Sequence, residues 1–225
     1  ARITKTEAFM FEIQKASAAE AAQPNETTMA AINALTHRPL TPEEIYTFSV
    51  RACDDQPDRD YERFTADCLK GLLSLYIGKP VIFDHSWKAE NQTARVYGGE
   101  IAKDGEATYL RLSCYMLRNE TTAPTIAAID GGILREVSVG CSCGKLTCSV
   151  CGEPYGTCDH RKGHEYDGKL CIGEISDPHD AYELSFVVVP VQPAAGVCKS
   201  AARRGMTSNE LDAAKARLRL EKNRF

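Results

Sequence analysis

The chain has 225 residues, 43% of them hydrophobic and 26% charged, and a net charge of −4. That balance excludes an intrinsically disordered chain, and the lack of a basic excess excludes a general duplex-binding surface. The longest aliphatic run, from Phe186 to Val191, is too short to span a bilayer, and the opening ARITKTEAFMFEIQ lacks the apolar stretch of a secretory signal. The expectation is one soluble, intracellular domain with no nucleic-acid and no membrane partner. The stretch 199–225 departs from the acidic average, with eight Lys or Arg against three Asp or Glu; it suits either an acidic partner or a solvated helical face.

In chain order, 1–43 reads as a helical arm. Ala-rich sequence predicts a helix over 7–22, broken at Pro24-Asn25, and a second over 26–37, ended by Pro39. The core runs over 44–198. IYTFSVRAC (45–53) alternates in β-formers and predicts a strand, DDQPDRD a turn, and Thr65 caps a helix whose Leu69, Leu72, Leu73 and Tyr76 share one face. KPVIFDH predicts a short buried strand ending at His85, with further strands over 93–103 and 108–117 and a helix over 123–130 stopped by Gly131-Gly132. ILREVSVGC (133–141) is a strand with Ser138 and Gly140 on one face and Val137 and Val139 on the other. A strongly apolar strand follows over 181–189, halted by Pro190, and 199–225 predicts a helical tail. The fold class is mainly β with flanking helices (α+β), as an antiparallel sheet or barrel.

Ten cysteines in a chain without a signal segment point to metal ligation more than to disulfides, because six of them crowd into 141–171. CSVCGEPYGTCDH sets Cys148 and Cys151 in CxxC spacing, then Cys158 and His160. Three thiols and one imidazole match a closed structural Zn²⁺ site within an insertion over 143–171, with Cys171, Cys143 and His164 as alternative ligands. A closed site has no open position for water, so a metallohydrolase is disfavoured.

A second group is dispersed. His85 ends VIFDH, and Ser138 sits inside REVSVG. A serine hydroxyl needs a neighbouring base, and histidine titrates near neutrality. Asp84, adjacent in a strand, would point to the opposite face, so an orienting carboxylate must come from elsewhere. Glu183 is out of place inside AYELSFVVV unless a donor meets it, and Asp180 is its alternative. Spacing alone does not make these a triad.

The stretches GKPVIFDHSWKAENQTARV, ILREVSVGC and AYELSFVVVPVQPAAGV resemble the prohead (capsid maturation) proteases of tailed phages, which are distantly similar to the herpesvirus assemblins. The likeness spans 44–197 and extends to a subgroup with a Cys/His module inserted after the serine strand. It implies a herpesvirus-protease type of fold with Ser138 as nucleophile and His85 as general base. Glu183 falls where assemblins carry a second histidine, with Asp180 as the substitute. Pro190-Val191-Gln192-Pro193 replaces the Gly-Arg-Arg segment that helps form the assemblin oxyanion hole. The implied partners are capsid precursor and scaffold proteins, with self-cleavage of the chain's own ends, inside the assembling procapsid in the host-cell cytoplasm; oligomeric state is open. The competing reading is an inactive, zinc-stabilised scaffolding protein of the same fold.

Overall fold

The structure, a computed structural model, describes Pro24–Cys198. The helices expected over 7–22 and in the tail lie outside the described residues. Helix α1 (Glu26–Asn33) opens at Asn25, whose side chain accepts the Thr28 N–H at 2.9 Å. It stops before His37 because Asn33 turns its amide back to accept the Leu40 N–H at 2.8 Å.

Strand β1 (Ile45–Asp54) is followed by the short β2 (Glu62–Phe64), helix α2 (Ala66–Tyr76) and β3 (Pro80–Phe83). Next come β4 (Ala94–Asp104), β5 (Ala107–Leu117), α3 (Ala123–Asp130) and β6 (Val137–Cys148). A two-stranded ribbon, β7 (Glu165–Tyr166) with β8 (Lys169–Leu170), precedes β9 (Gly173–Phe186) and β10 (Gly196–Val197). Eight strands form one sheet in the order β10-β1-β5-β4-β3-β9-β2, with β6 along the other edge of β9. No helix among the described residues is long and apolar enough to cross a membrane.

The coarse class is therefore mainly β with helices, but the sheet is mixed and not a closed barrel, which corrects the antiparallel expectation. Both β2 and β3 run parallel to β9 and share one of its edges. Helix α2 carries the chain back between them, so both strands must point the same way. An isolated bridge between Glu136 and Gly196 links β10 to the lead-in to β6.

Helix α2 organises the core. Thr65 caps it by accepting the Cys68 N–H at 3.2 Å, and Leu69, Leu72 and Tyr76 are buried against Val96, Leu112, Leu184 and their neighbours. Val137, Val139, Leu184 and Phe186 belong to this core, so the alternate residues of β6 and β9 face the other way.

Two strand boundaries differ from the sequence reading. β6 starts at Val137 and continues into the cysteine-rich stretch, and β9 begins at Gly173, well before Ala181. The polar run 176–180 looks like a loop but pairs with β6, using register shifts at Gly140/Cys141 and Ser142/Cys143 to absorb Pro178 and its neighbours. β9 stops at Phe186, and Val188 beyond it is 85% exposed.

Candidate functional site

Strand β3 ends at Phe83, so His85 lies on a turn and not in a strand. The Ser86 N–H closes back on the Phe83 carbonyl at 2.9 Å, and Asp84 and His85 both have positive φ, 51° and 52°. Two successive non-glycine residues in the left-handed region are costly, and such conformations persist where surrounding contacts hold them. The holding contacts come from the end of β9. The Asp84 N–H donates to the Phe186 carbonyl at 2.9 Å, and the His85 N–H donates to Ser185 Oγ at 3.0 Å.

The turn swings the imidazole onto β9, where His85 Nδ1 lies 2.7 Å from Glu183 Oε1. A carboxylate only accepts, so Nδ1 carries the proton of this bond, and Nε2 is the ring nitrogen left without a bond to Glu183. The second carboxylate oxygen, Oε2, accepts the Ser185 hydroxyl at 2.6 Å. Glu183 is 3% exposed and Ser185 fully buried, whereas the His85 side chain is 42% exposed. One buried carboxylate therefore meets two donors and fixes a partly exposed ring.

Ser138 is the register partner of Ser185 in the antiparallel β6–β9 pair, and Gly140 that of Glu183. Directly opposed residues project to the same face with Cβ atoms about 4.5–5.5 Å apart. Ser138, Glu183 and Ser185 thus share the face that carries His85. No hydrogen bond joins Ser138 to His85 among the described residues.

Gly140 is needed for this arrangement, since a Cβ there would stand 2.2 Å from Glu183 Oε1 and 3.0 Å from its Cδ. Gly140→Ala is expected to push the carboxylate off His85, seen as loss of the Nδ1–H proton signal in NMR spectra of a fold that remains intact by circular dichroism. Ser185→Ala leaves one buried carboxylate oxygen without its donor and is expected to cost about 1–3 kcal/mol in urea denaturation. The sequence reading missed Ser185; its place two residues after an isolated strand carboxylate was the available signal.

Asp180, the alternative orienting residue, instead accepts from Lys79 Nζ at 3.0 Å and from the Ala181 N–H. Trp87, 69% exposed, packs against Tyr182 with ring centroids 5.3 Å apart, close to the His85 turn. A cleft of about 510 Å³ runs along β6, lined by Val137, Ser138, Val139, Cys143 and Leu146, with Gln192 across it. The Gln192 amide is fixed by two bonds to the Asp54 backbone, at 2.6 and 3.1 Å.

Comparison of the chain with protein families, curated proteins and solved structures finds no match.

The second centre lies at the end of β6. Cys148, Cys151, Cys158 and His160 bring one ligand atom each to within 4.8 Å of one another, and all ten cysteines are free thiols. The Cys148–Gly152 turn is tight: the Gly152 N–H returns to the Cys148 carbonyl at 2.8 Å, and Gly152 has φ +80°, which favours glycine. Burial acts to raise the Cys148 thiol, but hydrogen bonds from the Cys151 and Val150 backbone and from the Cys171 and Cys151 thiols bring it down to about 6. His160 packs its ring edge on Tyr166, 4.6 Å between centroids, and its buried Nδ1 has no hydrogen-bond partner. An orphaned buried nitrogen beside three thiols fits a metal ion.

The alternative ligands separate. Cys171 Sγ lies 3.7 Å from Cys148 Sγ, at the margin of the centre. Cys143 sits elsewhere, 3.7 Å from Cys68 on α2. His164 contributes backbone pairing to Cys171 and is not among the four clustered ligands.

Proposed function

We propose that this chain is a serine endopeptidase that trims capsid precursor and scaffold proteins during procapsid maturation, with Ser138 as nucleophile, His85 as general base and Glu183 as the orienting carboxylate. The observation that carries the catalytic part is the 2.7 Å contact between His85 Nδ1 and Glu183 Oε1 on the sheet face shared by Ser138. The substrate class and the procapsid location rest on the sequence resemblance of 44–197 to prohead proteases.

Two strand serines, Ser138 and Ser185, share the face that carries His85, and their surroundings separate them. Ser185 is fully buried and its hydroxyl is committed to Glu183 and the His85 N–H. Ser138 is half-buried and makes no side-chain hydrogen bond among the described residues. Of the two it is the hydroxyl left uncommitted.

In the reaction, Ser138 Oγ attacks the scissile carbonyl while His85 Nε2 removes its proton. Glu183 holds the tautomer and stabilises the imidazolium, which then protonates the leaving amine. Water repeats the sequence on the acyl-enzyme. The exposed Trp87–Tyr182 pair offers apolar surface beside the base for a peptide chain. The metal proposed for Cys148, Cys151, Cys158 and His160 is Zn²⁺, held in a closed structural site that takes no part in hydrolysis.

A fluorophosphonate reagent tests the nucleophile directly. Labelling is expected at Ser138, mapped by mass spectrometry, and is expected to fall sharply in His85→Ala. Labelling that ignores His85, or no labelling of a chain that cleaves nothing, removes the enzymatic reading and leaves a zinc-stabilised scaffolding protein.

A further inference from the structure

A second set of reactive groups lies beneath the cleft, outside both centres described above. Cys143 on β6 and Cys68 on α2 face each other with Sγ atoms 3.7 Å apart, across 75 residues of sequence. Their exposure differs. Cys143 is half-buried and lines the cleft, whereas Cys68 is 1% exposed in the core behind it. Cys141, also on the cleft wall, is two residues away on the same strand.

We propose that Cys143 and Cys68 are a peroxide-sensitive thiol pair: Cys143 is oxidised first, from the cleft, and Cys68 resolves it into a disulfide that ties α2 to the serine strand. The sulfurs are already at thiol contact, so closure to the ordinary bond length of about 2.05 Å requires a shift of roughly 1.7 Å. Neither residue has a competing role in the metal centre, whose four ligand atoms cluster without them.

The chemistry balances with a hydroperoxide as the named oxidant. The Cys143 thiolate attacks one peroxide oxygen; an S–O bond forms, the O–O bond breaks, and hydroxide leaves. Cys68 then gives up its proton and attacks Cys143 Sγ; the S–S bond forms, the S–O bond breaks, and the departing oxygen leaves as water. Two thiols lose two electrons in total, and hydrogen peroxide becomes two waters.

The order of attack follows from the surroundings as well as from access. Hydrogen bonds from the Cys141 and Cys68 thiols, with the nearby His179 ring, hold the Cys143 thiol down to about 4, against the opposing effects of burial and Asp177. Cys68, donating to Cys143 and buried, is pushed up from the ordinary thiol range. The nucleophile is therefore the residue on the cleft, and the buried residue is the one that resolves it.

The test uses the full metal-loaded chain treated with one equivalent of hydrogen peroxide, blocked with iodoacetamide and digested without reductant. The expected result is a cross-linked peptide joining Cys68 and Cys143 as the first product, removed by dithiothreitol. In Cys68→Ser, checked for fold by circular dichroism, Cys143 is expected to accumulate as a sulfenic acid captured by dimedone. Full alkylation of Cys143 while the metal-site cysteines oxidise overturns the proposal, as does a Cys141–Cys143 bridge in its place. The wild-type arm depends on no variant and on no peptidase activity, so its failure is separate from that of the proposed function.

Discussion

Ser138→Ala is expected to abolish trimming of a co-expressed capsid precursor, with a rate loss on the order of 10⁴ to 10⁶, as when a member of a serine triad is removed. The size of the effect follows from what the hydroxyl would do. It supplies the bond-forming atom, and the neighbouring hydroxyl on that face, Ser185, is not free to substitute because it is buried and bound to Glu183. His85→Ala should cost a similar factor, and the double variant little more, since the two residues act as a unit. Glu183→Gln is expected to cost about 10⁴, because an amide can present its N–H to Nδ1 and favour the wrong tautomer. The measurement is mass spectrometry of the cleavage products, with the wild-type chain and each variant expressed beside the same precursor. Equal trimming by wild type and Ser138→Ala sinks the assignment. Folding is a small concern for this substitution, since Ser138 is half-buried and makes no side-chain hydrogen bond among the described residues.

The parts of this arrangement differed in how well the sequence displayed them. Glu183 stood out because a carboxylate inside an apolar strand demands a donor; the structure supplies two, His85 Nδ1 and the Ser185 hydroxyl. The position of His85 was less legible. VIFDH reads as continuous strand, but Asp84 and His85 leave the β region for positive φ, under the hold of Ser185 and Phe186 from a strand about a hundred residues later. Local propensity cannot anticipate a backbone conformation held by remote partners. The same limit explains β2 and the early start of β9. Glu62–Phe64 and Gly173–Ile175 are short and mixed in polarity; they become strands by pairing with each other, and Gly173–Ile175 pairs on its other edge with Leu146–Cys148 of β6. The Cys148–His160 spacing was legible because metal geometry acts over a few residues of one loop, so little long-range folding intervenes. Cys143 could not be separated from that group by spacing; only the pairing of β6 with β9 carries it away toward α2.

Removing the metal is expected to unfold the insertion, with loss of affinity and local structure on the scale of structural Zn²⁺ sites, about 10–16 kcal/mol of apparent binding free energy near neutral pH. The segment between Cys148 and Gly173 contains only the two-residue ribbon of β7 with β8 as regular structure. Phenolic oxygens accept the Arg161 and Lys162 N–H groups at 3.0 and 3.1 Å. The segment's ties to the core are few: the Lys162–Glu62 ion pair, the Tyr155 N–H to the Leu146 carbonyl, and the Ser149–Ile172 pairing at its root. Without a cation, three thiols and an imidazole lie within 4.8 Å with no bridging charge, and burial of the His160 nitrogen goes uncompensated. The loss should stay local at first. The face that carries His85 and Glu183 is built at the far end of the β6–β9 pair, at Ser138 and Ser185, whereas the cysteine-rich loop springs from Cys148 and Gly173 at the other. Hydrogen exchange after treatment with a chelator under reducing conditions should therefore show rapid exchange over 149–172 and retained protection at 137–140 and 183–186. Uniform loss of protection in both regions would mean that the metal holds the whole sheet together. No change at all would mean that the four side chains bind no metal. Cys151→Ser should reproduce the local pattern without chelator, because an exposed first-turn ligand is lost while the buried Cys148 and Cys171 remain in place.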